Sequence, residues 1–91
     1  MVMVKSNEPK IDLKAFFLSI SSAAFIGLGM VPPLQGGSLQ IDLAMAQQNI
    51  DLLELMEEKT RGNRTPEEDQ LVGRLLVELR MKFIEKSKNK V

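Results

Sequence analysis

Three carboxylates, Asp51, Glu54 and Glu58, follow i, i+3, i+7 spacing along one stretch of this chain, with Glu57 beside them. If that stretch is helical, they share a face. Clustered carboxylates can hold a hard divalent cation or divide acid and base roles between them. That chemistry would make the chain a metal-assisted hydrolase. The rest of the sequence argues against it. There is no His and no Cys. The commonest general base, the commonest zinc ligand and all thiol chemistry are therefore missing. The Glu-x-x-His elements of di-iron bundles cannot be formed. A solvated acidic face accounts for these carboxylates without a ligand.

The remaining reactive residue types also have plainer readings. Ser19, Ser21 and Ser22 have no His to activate them. Lys59 and Thr60 precede Gly62, which is the wrong order for a phosphate loop. From Arg80 to Val91 there are five basic residues and one acid, Glu85, with Phe83 as the one side chain that could stack on a base. Such a run favours an anionic surface weakly, and cations at a helix C-terminus explain it. Basic and acidic residues number 12 each, so the formal net charge is zero. The positive field expected of a nucleic-acid binder is absent. The chain is read as a non-enzyme with no cofactor, no metal and no nucleic-acid partner.

These residues must sit on a small scaffold. Ninety-one residues allow one domain with a thin core. About 44% of them are apolar, but only four are aromatic, all Phe, so the core must be largely aliphatic. Residues 1–11 read as a flexible arm, 12–85 as a single helical domain and 86–91 as a basic tail. Asp12 is an N-cap, with Ile11 and Phe16 at the spacing of a hydrophobic staple. Leu13, Phe17, Ile20, Ala24 and Leu28 form the apolar stripe of a first helix. Gly29 can terminate it in a left-handed conformation, and Pro32 and Pro33 forbid continuation.

A second helix is expected to start between Ser38 and Asp42. Its seam is Leu39, Leu43, Ala46, Ile50 and Leu53, at spacings of 4, 3, 4 and 3. Gly62 should end it. Thr65, Pro66 and Glu68 then form a capping box with proline at N1. Val72, Leu76, Leu79 and Phe83 continue a third helix. The short turn between the last two helices makes them antiparallel neighbours. Counting outward from that turn pairs Asp51 with Arg80 or Arg74.

Ala15 to Val31 runs seventeen residues without a charge. A membrane-spanning helix needs about 20 apolar residues. A secretory signal needs a cleavage site just after its apolar core, and Ala44-Met45-Ala46 lies well downstream. A buried helix fits best, and membrane association is not expected.

The stretch Phe16-Phe-Leu-Ser-Ile-Ser-Ser-Ala-Ala-Phe-Ile-Gly-Leu-Gly29, with Pro32 and Gly36 after it, resembles the start of a small bacterial domain-of-unknown-function family, DUF1844. Leu43-Ala-Met-Ala-Gln-Gln-Asn-Ile-Asp-Leu-Leu-Glu-Leu-Met-Glu-Glu-Lys-Thr-Arg-Gly-Asn63 resembles its middle. Thr65-Pro-Glu-Glu-Asp-Gln-Leu71 and Leu76-Val-Glu-Leu-Arg-Met81 resemble its end. The resemblance implies an all-helical cytoplasmic protein of bacterial origin. It brings no activity, cofactor or catalytic residue. Met30 stands where that pattern more often has Glu, and Arg64 where it has Leu, which weakens a hydrophobic staple across the third helix start.

The expected architecture is therefore all-α, with three helices, the last two an antiparallel hairpin, packed as a dimeric bundle. Helix one is apolar on most faces, and helix two has apolar surface beside its seam. Large exposed apolar patches mark contacts. The expected homodimer interface is Phe16, Phe17, Ile20, Ala23, Ala24, Met45, Leu52 and Met56. The expected role is a protein-interaction or assembly module. The alternative is a peripheral membrane or small apolar-ligand-binding protein using helix one.

Overall fold

The computed structural model describes residues 12–33 and 35–88. The chain is all-α: α1 spans Leu13–Gly27, α2 Leu43–Lys59 and α3 Pro66–Lys88, with no strand among the described residues. The expected N-terminal arm and Ile11 lie outside the described residues. The third helix runs to Lys88, so the first part of the expected basic tail, Lys86 to Lys88, is helical.

Each helix boundary has a local cause. The Asp12 carboxylate accepts from the Ala15 N–H at 2.9 Å and opens α1. At the other end Gly29 takes φ +74°, a conformation that favours glycine. The Gly29 N–H donates to the Ile26 carbonyl at 2.9 Å and the Met30 N–H to the Phe25 carbonyl at 3.0 Å. These are the two bonds of a Schellman motif. The Asp42 carboxylate caps α2 through the Met45 N–H at 3.1 Å. Residues before Asp42 are not helical, so Leu39 is not part of the seam and lies exposed. The reason is tertiary: the Asp42 N–H donates to the Gly27 carbonyl at 2.7 Å, which ties the entry of α2 to the end of α1.

The α2–α3 turn closes on an Asn63 N–H to Thr60 carbonyl bond of 2.9 Å. Gly62, at φ +86°, is the third residue of that turn, two positions past the C-cap Thr60 rather than one. The capping box of α3 is complete. The Glu68 N–H donates to Thr65 Oγ1 at 3.1 Å, and the Thr65 N–H donates to Glu68 Oε1 at 2.8 Å.

The three helices share one core. Phe17, Ile20, Ala24 and Leu28 meet Ala46, Ile50, Leu53, Val72, Leu75, Leu76 and Leu79. Each large side chain fully buried here contributes about 1.5–3 kcal/mol. The most extensive contact is α1 against α2, not α2 against α3. Small residues permit it. A Cβ on Gly27 would stand 2.8 Å from the Ala46 backbone nitrogen and 3.0 Å from the Asp42 carbonyl oxygen. Ala24 and Ala46 are fully buried in the same core.

Gly27→Ala therefore pushes two backbones apart and is expected to cost about 1–3 kcal/mol in urea unfolding. Gly73, in mid-helix with nothing within 4 Å of its would-be Cβ, gives the opposite sign. Gly73→Ala should stabilise by about 0.5–1 kcal/mol.

Candidate interaction surface

The close approach at Gly27 sets two strips of side chains next to each other. On α1, Phe16 and Ala23 stand one heptad apart. On α2, Met45, Leu52 and Met56 recur at helical spacing. Ala23, Ile26 and Met45 line one groove of about 420 Å³, with Pro33, Gln35 and Gln40 of the connector at its rim. Phe16 is 38% exposed and Leu52 40% exposed, while Ala23, Met45 and Met56 are half-buried. Five of the eight expected interface residues therefore lie on or beside this surface.

The other three do not. Phe17, Ile20 and Ala24 are buried in the chain's own core. They lie on the adjoining inward face of α1, about 60–100° round the helix, and are spent on α2 and α3. The sequence stripe showed them as apolar but not which neighbour takes them. Conversely, Leu55, Val77, Met81 and Ile84 are exposed large apolar residues outside the expected set. Their i, i+3/i+4 spacing was visible, but it resembles that of the adjoining seams.

The expected ion pair of Asp51 is corrected. Arg80 pairs with Glu54, Nη2 to Oε2 at 2.8 Å and Nε to Oε2 at 2.9 Å. Asp51 accepts from Gln47 Nε2 on its own helix at 2.8 Å. Arg74 makes no ion pair among the described residues. The geometry explains the choice. Glu54 stands one turn after buried Ile50, on the flank of the seam, whereas Asp51 is rotated about 100° past Ile50 toward solvent. With Glu54 committed to Arg80, the three carboxylates do not converge. Among the described residues no three Asp or Glu side chains stand close enough together to hold a metal ion.

A second polar cluster was not expected. The Arg64 side chain is only 7% exposed and reaches Asp69 at 3.0 Å and Glu57 at 3.5 Å. Arg64 and Asp69 occupy the N′ and N4 positions of α3, where an apolar staple usually sits. An ion pair replaces that staple here and also ties α3 back to α2. The substitution leaves a cost: Arg64 Nε and Nη1 are buried with no hydrogen-bond partner. Glu57 also accepts from Arg61 Nη2 at 2.8 Å. That hydrogen bond, with the charges of Arg61 and Arg64, holds the Glu57 carboxyl below its ordinary value.

The geometry thus offers an apolar surface across α1 and α2 and ionic clamps at Arg64 and Arg80, with no convergent cluster of carboxylates among the described residues. The profile of a family described as a domain of unknown function (DUF1844) matches residues 10–85. The chain belongs to that family. No curated protein and no solved structure matches it. The DUF1844 match spans α1, α2, the Arg64 turn and α3 as far as Glu85. Among the described residues no helix is long and apolar enough to cross a membrane.

Two outcomes follow from the Arg64 cluster. Arg64→Leu removes two unpaired buried donors and restores an apolar N′ residue. It should raise stability by about 1 kcal/mol in urea unfolding. Glu57 has a lowered folded pKa, so its contribution is present above its unfolded value near 4.5 and is lost as pH falls through the folded value. Glu57→Gln should therefore make the melting temperature less steeply dependent on pH between roughly pH 5 and pH 3.

Proposed function

We propose that this member of the family is a non-catalytic protein-interaction module that self-associates as a homodimer. The observation that carries the proposal is the strip of Phe16, Ala23, Met45, Leu52 and Met56 left at the surface of α1 and α2. A small domain that leaves such a surface open gains by covering it. A second copy covers it with the same residues about a two-fold axis. A bacterial, cytoplasmic setting belongs to the same proposal. It rests on the family resemblance and on a chain without Cys.

The proposal takes α2 and α3 as an antiparallel hairpin. The Glu54–Arg80 pair supports this, as does the groove where Gln47 and Ile50 meet Phe83 and Ile84. Residues earlier in α2 thereby adjoin residues later in α3.

One observation favours a second reading. The groove of about 420 Å³ has an apolar wall of Ala23, Ile26, Pro33 and Met45 beside Gln35, Gln40 and Asp42, which suits a small, mainly apolar ligand with a polar end. Recovery of the protein in a membrane pellet at high salt would support that reading.

Light scattering at micromolar concentration should report two chains. Leu52→Asp should report one, with helix content unchanged by circular dichroism because Leu52 lies outside the core. A wild-type monomer throughout the micromolar range would remove the proposal.

A further inference from the structure

The outermost face of α3 carries the largest exposures among the described apolar side chains outside the α1–α2 connector. Val77 is 56% exposed, Met81 64% and Ile84 55%. They stand at i, i+4 and i+7; Val77 and Met81 point away from buried Val72, Leu75, Leu76 and Leu79, and Ile84 lies at the edge of the face, where it also borders the groove with Gln47 and Ile50. Among the described residues more than half of each side chain stays open to solvent. An exposed helix of this kind ordinarily carries polar side chains on that face.

Charges beside the apolar stripe are arranged with opposite signs toward its two ends. Arg74 lies near the N-terminal end and Glu85 near the C-terminal end, while Glu78 and Lys82 lie between them on the same flank. In an antiparallel pair of identical helices, like flanks face each other. One register, centred near Leu79 and Arg80, then sets Val77 against Met81 of the copy. The same register sets Arg74 against Glu85 and Glu78 against Lys82. Each pairing occurs twice by symmetry. Arg80 would meet its own copy near the axis, but Glu54 at 2.8 Å already neutralises it. Arg74 and Glu78 make no ion pair among the described residues, and Lys82 and Glu85 are held only by each other, in an exposed i, i+3 contact of 3.6 Å that Arg74 and Glu78 of the copy would extend into a four-charge network.

We infer that the outer face of α3 is a second self-association surface, which takes α3 of another copy in antiparallel register. It lies on a different helix from the strip of the proposed homodimer, so both contacts can form together. Two different isologous contacts generate assemblies of four chains or a higher even number. This inference extends the homodimer reading but rests on separate residues.

Light scattering and sedimentation from one to several hundred micromolar test it on the full chain. The wild-type mass is expected to rise from two chains to four or more. Met81→Asp should remain at two chains at every concentration, with unchanged circular dichroism. Leu52→Asp should rise only from one chain to two. Glu85→Arg should weaken the high-concentration step by about fivefold, and adding Arg74→Glu should restore it. A wild-type monomer at low concentration that still dimerises through a Met81-dependent step would sink the homodimer reading and leave this one standing. A constant wild-type mass, or a Met81→Asp chain that associates like wild type, would overturn it. So would Met81-dependent pelleting with phosphatidylserine vesicles at unchanged mass, which would assign the face to a membrane surface.

Discussion

At Gly27 the first two helices touch backbone to backbone. The Gly27 carbonyl accepts from the Asp42 N–H at 2.7 Å, and no side chain larger than hydrogen fits between Gly27 and Ala46. Everything between them must therefore reverse direction within the connector. The Schellman motif at Gly29 begins that reversal, and the Asp42 cap completes it. Because Asp42 serves both the cap and the interhelix bond, the start of α2 is set by its contact with α1. The register that brings Phe17 and Ile20 to Ile50 and Leu53 follows from the same contact. It also sets Ala23 and Ile26 beside Met45. The candidate interaction surface is thus a consequence of one short-range steric allowance.

The third helix is held differently. Its start is local, made by the Thr65–Glu68 capping box. Its docking uses aliphatic packing and three ionic ties: Arg64 near the turn and Arg80 further along toward α2, and Glu67 to Lys14 of α1 at 3.4 Å. The Arg80–Glu54 pair is half-exposed and contributes little by itself. Arg64 is nearly buried, so its pairing matters more and its unpaired nitrogens cost more. A Leu at that position would trade this polar clamp for a plain apolar contact. The polar version fixes geometry through directed bonds where an apolar one would only fill space.

Legibility differed by feature. The stripes of α1, α2 and α3 were readable because burial repeats every three or four residues. So were the caps at Asp12 and Thr65, since each bonds to an N–H three residues away. The start of α2 was bracketed between Ser38 and Asp42, and the structure takes the later end; Leu39 was wrongly counted in the seam because periodicity could not see the Gly27–Asp42 bond. Asp51 was matched to Arg80 by counting residues, which ignores the rotation that turns Asp51 outward and Glu54 toward α3. The surface residues were half legible. Phe16, Ala23, Met45, Leu52 and Met56 sit where an apolar excess was inferred, while Phe17, Ile20 and Ala24 were needed inside. Arg64 was noticed as a departure from the family pattern, but its burial gave no sequence signal, because a charged residue beside a turn is expected in solvent.

By itself the sequence determined the helical class, the three helices, their caps and the absence of His and Cys from any chemistry. Those properties depend on neighbours within about four residues or on composition. Only the tertiary structure decided which edge of α1 is core and which is surface, which carboxylate meets Arg80, and that Arg64 is buried at a helix start. These depend on how helices rotate and approach one another. That approach is governed by contacts such as Gly27 against Ala46, made between residues far apart in the chain.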